Sequence, residues 1–298
     1  MSCALIAQDE LIRKWCNMPE KLFRIGIVAP ACRFDEPVAQ RVKEIAEQCY
    51  GKGVALEVHP QCFLSAGHFS GDDAARAAAF VEVANDPAID VVWFARGGYG
   101  ATRIIESVLP RLNAAARRKT YLGYSDIGSL LAALYAQGFE NVVHGPMPSD
   151  LARQGGDEAV RRALAFLVER KSSTIEPTVA SAEKCAAFNI TILSHLIGTP
   201  YLPDLSDHVL MLEEVSEHMY RIDRALAHIT SSPAIRKVAG IKLGRCSQIP
   251  ANDPDFGQSE VEVIEHWCKV SGIPYMGRAD IGHDARNKIV PFGPLRMS

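Results

Sequence analysis

The chain has 298 residues, 32 lysines and arginines against 35 aspartates and glutamates, and a formal net charge of −3. This length suits two domains of ordinary size, and the lack of any basic run excludes nucleic acid or an anionic membrane surface as the main partner. The longest apolar runs, such as Val91–Ala95 and Leu130–Tyr135, are far too short to cross a bilayer. Asp9, Glu10, Arg13 and Lys14 stand where a secretory signal needs an unbroken apolar core, which points to the cytoplasm. The eight cysteines are scattered with no C-x-x-C pair, and the nine histidines include no H-E-x-x-H. Buried free thiols, no metal site and no cofactor are expected.

From the N-terminus, strand and helix signals alternate. RIGIVAPA (Arg24–Ala31) predicts a first strand ending at Pro30. Val38, Val42, Ile45 and Ala46 then recur at helical spacing, and the stripe closes on Gly51 and Gly53. VALEVHP reads as a second strand, and an alanine-rich segment begun by Asp72 or Asp73 as a second helix. IDVVWFAR is a third strand and ATRIIESVL a third helix, while TYLGYS and NVVHGP supply strands around the helix after Ser125. Strands apolar on both faces, alternating with helices, predict a parallel sheet flanked by helices, Rossmann-like in architecture. Such sheets bind ligands beyond their C-terminal strand ends, where Arg96–Gly100, Ser125 and His144–Pro146 fall.

After Pro148 the pattern changes. DEAVRRALAFLVERK predicts one more helix and SSTIEPTVASAEK a polar connector. HVLMLEEVSE reads as a strand running into acid, and YRIDRALAHI as a helix. The expected division is an N-terminal α/β domain over residues 1–150, a helix and linker over 151–185, and a smaller C-terminal α+β domain over 186–298.

Ser125 sits where a buried strand becomes a helix. It or Asp126 could cap that helix, or the hydroxyl could be a nucleophile lifted out by a tight turn after Gly123. The loop Arg96–Gly100 carries Gly97, Gly98 and Gly100, fit for a tight turn, a phosphate cradle or an oxyanion donor. Arg103 stands where the dinucleotide pattern needs its third glycine, and no Walker motif occurs. Serine chemistry needs a base and a group that orients it. Glu213 and Glu214 end a strand, alternation puts Glu213 on the face of Val209 and Met211, and His283 follows Gly282 in a loop. Ser, Glu, His is also the α/β-hydrolase order, but G-Y-S-D-I-G is not G-x-S-x-G, so that fold is not matched. A rival reading, a non-catalytic nucleotide- or phosphate-binding module, expects the three residues far apart.

These segments together resemble the LD-carboxypeptidase family of serine peptidases, which includes the microcin C immunity peptidases. The landmarks are RIGIVAPA, GHFSGDDAARAAAF, ARGGYGATRII, GYSDI with HGP, LIGTPYLPD, LEEVSEHMYRIDRAL and IGHDARNKIVPFG, in order from about Phe23 to Gly293. The resemblance implies a site at the domain interface, with Ser125 as nucleophile, His283 as base and Glu213 as its orienter. It also implies an oxyanion hole from the N–H groups of Asp126 and Gly98, a murein peptide substrate and a homodimer. Arg96 and Arg103 flank the oxyanion loop and are candidates for the substrate's carboxylate. Two activities fit the family: release of D-alanine from murein tetrapeptide, or cleavage of aminoacyl-adenylate analogues. Ala31, Gly128, Ala187 and Phe188 depart from the family's usual residues.

Overall fold

A computed structural model describes residues 22–294; the charged residues Asp9 to Lys14, together with Cys3 and Cys16, lie outside the described residues. The strands read in the first half all form: β1 (Phe23–Val28), β2 (Val54–Val58), β3 (Val91–Phe94), β4 (Thr120–Gly123) and β5 (Val142–His144). They make a sheet in the order β10-β5-β4-β3-β1-β2, parallel except at the edge, where β10 (Val290–Pro291) runs antiparallel to β5. Every residue of β3 and β4 is buried, because helices cover both faces. Helix α1 (Glu36–Tyr50) buries Ala39, Val42, Ile45 and Ala46. Asp72 caps α2 (Asp73–Asn85) by accepting the Ala75 N–H at 2.7 Å. The expected helix at ATRIIESVL is broken: a 3₁₀ turn at Ala101–Ile104 passes into the short helix Ile105–Val108, and the second 3₁₀ turn, Leu109–Arg111, contains Pro110.

Helix α3 (Gly128–Ala136) follows the serine turn, and α4 (Gly156–Glu169) packs its apolar face into the first domain's core. The second sheet runs β6 (Lys184–Asn189), β7 (His208–Val215), β8 (Gly240–Ser247) and β9 (Tyr275–Arg278), parallel throughout. Its crossovers contain α5 (Ile190–Leu196), α6 (Met219–Ser231) and α7 (Glu260–Ser271). Strand β6 begins inside the expected connector. The tail assigned by sequence to the second domain joins both sheets: Val290 pairs with His144 of β5, and Gly293 bridges Cys185 of β6. Pro291 is tolerated there because an edge strand can dispense with one donor.

One apolar cluster runs from Phe94 and Tyr121 through Phe188 and Phe292 to Leu212, so the two sheets share a core. Phe188 stacks edge-on with Phe292 at 5.1 Å, and a Cβ at Gly128 would meet only ordinary contacts. Ala31, Ala187 and Phe188 are buried, so these departures from the family are packing positions. Among the described residues no helix is long and apolar enough to cross a membrane. The described cysteines are free thiols; Cys32, Cys62, Cys185 and Cys268 are buried, whereas Cys49 is exposed.

Candidate active site

The serine corner is made by backbone geometry. Ser125 has φ of 60°, a left-handed conformation that non-glycine residues seldom adopt. Gly123 permits the turn to close, since a Cβ there would lie 2.8 Å from the Ile127 side chain. Ile127 in turn is fully buried and anchors the chain as it enters α3. This geometry lifts the Ser125 hydroxyl beyond the end of β4, as a nucleophile elbow does. Neither Ser125 nor Asp126 caps α3, which corrects the cap reading: the helix begins with no side-chain cap at all. The buried Asp126 carboxylate instead accepts the Ala101 N–H at 2.9 Å. Burial pushes that carboxyl above its ordinary range, with the Ala101 and Gly100 amides pulling the other way.

The second domain brings its two residues to the same corner. His283 Nε2 lies 2.9 Å from Ser125 Oγ, and His283 Nδ1 lies 2.5 Å from Glu213 Oε2. The rival reading required these three residues to lie apart; they form one hydrogen-bonded chain. Glu213 is fully buried on β7, and His283 is 6% exposed in the loop after β9. Burial pulls the imidazole pKa down, but the charge and hydrogen bond of Glu213 outweigh it and leave the pKa above the ordinary histidine value. With Nδ1–H donating to Glu213, Nε2 is free to accept the serine proton.

Polar ties fix the histidine loop. Arg245 grips Asp284 through Nε and Nη2 at 2.5 and 2.9 Å and reaches Asp280 at 2.6 Å. Arg153 Nη1 donates to the His283 carbonyl at 2.7 Å, and its Nε donates to Asp150 at 3.0 Å. Asp150 is buried and also accepts the Tyr124 hydroxyl at 2.7 Å; the Tyr124 ring lies 4.8 Å from the His283 ring. Asn287 Oδ1 accepts the Gly282 N–H at 3.2 Å and lies 3.1 Å from His144 Nε2. Burial lowers the His144 pKa to about 4, so that imidazole is neutral and can donate to Asn287.

A cleft of about 520 Å³ opens over Ser125 and His283, walled by Arg96, Gly98, Met147 and Arg153. Among the described residues neither the Gly98 nor the Asp126 N–H donates to another protein group. Arg96 is exposed, with one contact to the Arg33 carbonyl at 3.2 Å. Arg103 is not on the cleft wall, contrary to its sequence-based assignment. Its guanidinium pairs with Asp73 at 2.8 Å and lies 5.2 Å from the Phe69 ring centre, because the 3₁₀ turn aims it away from Ser125. Arg153 was missed. It falls in an unremarkable polar segment after HGP, and only the fold sets it beside His283.

Family models for the LD-carboxypeptidase N-terminal domain and C-terminal domain match residues 25–145 and 185–295. A putative carboxypeptidase of Synechocystis is 30% identical over 236 residues, covering 76% of this chain and 75% of the relative. The murein tetrapeptide carboxypeptidase of Pseudomonas aeruginosa is 27% identical, covering 70% and 71%. Among solved structures, a muramoyltetrapeptide carboxypeptidase from Oxalobacter formigenes superposes with a TM-score of 0.74 at 22% identity, over 91% of this chain and 92% of its own. The microcin C7 self-immunity protein MccF in its wild-type apo state gives 0.73 at 19% identity, over 91% of each chain. These two likenesses are equal in fold and do not separate the two activities.

Proposed function

The chain belongs to the LD-carboxypeptidase family, and on that premise we propose that it is a serine carboxypeptidase of murein peptides. Its reaction would release the terminal D-alanine of murein tetrapeptide by hydrolysing the L,D-bond to the diamino acid, in the cytoplasm during cell-wall recycling. The observation that carries this reading is the contact chain Ser125–His283–Glu213 across the two domains. Ser125 Oγ attacks the scissile carbonyl while His283 Nε2 takes its proton. Glu213 holds the Nδ1–H tautomer and stabilises the imidazolium. The Gly98 and Asp126 N–H groups receive the oxyanion. His283 then protonates the departing D-alanine amine, and a water activated by the same imidazole releases the acyl group from Ser125. A carboxypeptidase must also bind a free carboxylate beside the leaving amine. Arg96 and Arg153 are the cleft's two guanidinium groups, and we assign them that contact in place of Arg96 and Arg103.

The experiment is mass spectrometry of tetrapeptide incubated with the wild type and with Ser125→Ala. Release of D-alanine by the wild type alone is expected, with little release from an analogue ending in L-alanine or from a pentapeptide ending in D-Ala–D-Ala. Equal hydrolysis of all three would overturn the stereochemical part of the reading. Preference for an aminoacyl sulfamoyl nucleoside would move the same catalytic residues to the immunity-type activity.

A further inference from the structure

Arg76 is completely buried, although arginine is rarely so unless paired. It projects from α2 under the Gly-rich loop. Its Nη1 donates to the carbonyls of Pro30 and Gly100, the latter at 2.8 Å, and its Nη2 pairs with Asp73. The Phe69 ring lies 4.7 Å from the guanidinium carbon. Among the described residues Arg76 Nε is buried without a partner, a cost that a purely stabilising side chain would avoid. Gly100 presses directly on this group: its φ is 134°, and a Cβ there would stand 2.8 Å from Phe69 and 2.9 Å from Arg76 Nη1. One residue further on, Ala101 N–H is held by the Asp126 carboxylate at 2.9 Å. Opposite charges therefore grip the two ends of a single peptide group in this loop, the Gly100 carbonyl and the Ala101 N–H. Asp126 follows Ser125 directly, so the grip also ties the loop to the serine corner.

We propose that Arg76 and the Asp126 carboxylate are positioning residues, a two-point clamp that holds the Gly98 N–H where the oxyanion develops. This rests on the reading of Ser125 as the nucleophile. A donor contributes to catalysis only if it is already aimed when the charge appears, and Gly98, at φ of 103°, cannot hold its own aim through a side chain. Removing the clamp would then weaken transition-state binding while leaving ground-state binding almost unchanged.

The test compares Arg76→Met, Arg76→Lys and Gly100→Ala with the wild type by thermal melt, by kcat and KM on tetrapeptide, and by phosphonylation with a small fluorophosphonate. In that reaction Ser125 Oγ bonds to phosphorus, fluoride leaves, the serine proton passes to His283, and the phosphoryl oxygen occupies the oxyanion position. Arg76→Met is expected to lower kcat and the phosphonylation rate together by about 10²-fold, the scale of one lost oxyanion donor, with KM held within about threefold. Arg76→Lys should recover part of both rates, because an ammonium can still donate to two carbonyls. Gly100→Ala should move both rates downward as well. A lower melting temperature with wild-type phosphonylation per folded molecule would overturn the clamp, and so would a raised KM at unchanged kcat. If Arg76→Met does not fold, the lysine and alanine variants decide by the same criteria. Ser125→Ala run beside them separates the two failures: a wild type that is not labelled at Ser125 refutes the nucleophile, whereas a labelled wild type with equally reactive Arg76 variants refutes only the clamp.

Discussion

The two halves of the site are held in different ways. The serine corner rests on backbone: a left-handed Ser125, a Gly123 that admits close approach, and a buried Ile127 behind it. The histidine loop rests on side chains: the Arg245 fork on Asp280 and Asp284, Arg153 on the His283 carbonyl, and Asn287 on the Gly282 amide. Backbone and core packing confine a side chain without regard to salt. Ion pairs can be loosened one at a time and are weakened by solvent screening where exposed. Ser125 is thus set on the rigid sheet, while His283 is brought to it by a loop whose order depends on charge.

The largest effects should come from breaking the junction of the two. Ser125→Ala and His283→Ala are each expected to lower kcat by roughly 10⁴–10⁶-fold, as members of a triad do. The double variant should lose little more than either single one, because neither residue works without the other. Single-turnover assays on all three proteins check this. Multiplying losses would mean that the corner and the loop act independently.

Glu213→Gln keeps the shape of the buried partner and removes its charge, and a loss of about 10²–10⁴-fold in kcat is expected. The pH profile sharpens the point. His283 must be neutral to accept the serine proton, and its pKa is held above the ordinary value of about 6.5. The acid limb of kcat/KM should therefore fall above that pH, with activity rising as the imidazole loses its proton. In Glu213→Gln the charge that favours imidazolium is gone, so the limb should move to lower pH as the plateau drops. An unmoved limb would show that Glu213 does not govern the titration of His283.

This contrast also explains what could be read without coordinates. The serine corner is local: a strand, a glycine, a serine and a helix follow one another, and alternation places Glu213 on an inward face. His283 has no such context. Its partners come from residues up to 158 positions away, and one loop histidine among nine carries no local mark of a base; the resemblance to a family singled it out. Arg103 shows the opposite failure, since nearness in sequence to the oxyanion loop suggested a contact that the broken helix turns away. The run KCAAFN contains no β-branched residue to announce β6, and its sheet neighbour β7 stabilises it. The capping box of α7, Ser259 with Glu262, was readable from spacing alone and marks a helix that the apolar pattern left unassigned.

The smallest predicted effect tests the tie on the histidine loop itself. Arg245→Met should leave the serine corner intact, because the Arg245 side chain bonds to the loop carboxylates Asp280 and Asp284, and its backbone N–H, which the substitution keeps, donates to the Ile281 carbonyl. Asp280 and Asp284 would then face one another without their shared cation, and the loop would sample positions in which Nε2 misses the serine hydroxyl. A displacement of about 1 Å can cost up to 10²-fold in rate, and with Arg153 and Asn287 still in place a loss of about 10-fold in kcat is expected. Arg245→Lys should fall between, since an ammonium cannot make the bidentate fork on Asp284. The side chain of Arg245 is 18% exposed and that of Asp280 is 43%, so raising the salt to about 1 M should cost the wild type a part of this rate and the methionine variant almost none. Steady-state kinetics at two ionic strengths measures both. If Arg245→Met keeps wild-type kcat at low salt, the ion pairs are surface ornament and the loop is held by Arg153 and Asn287 alone.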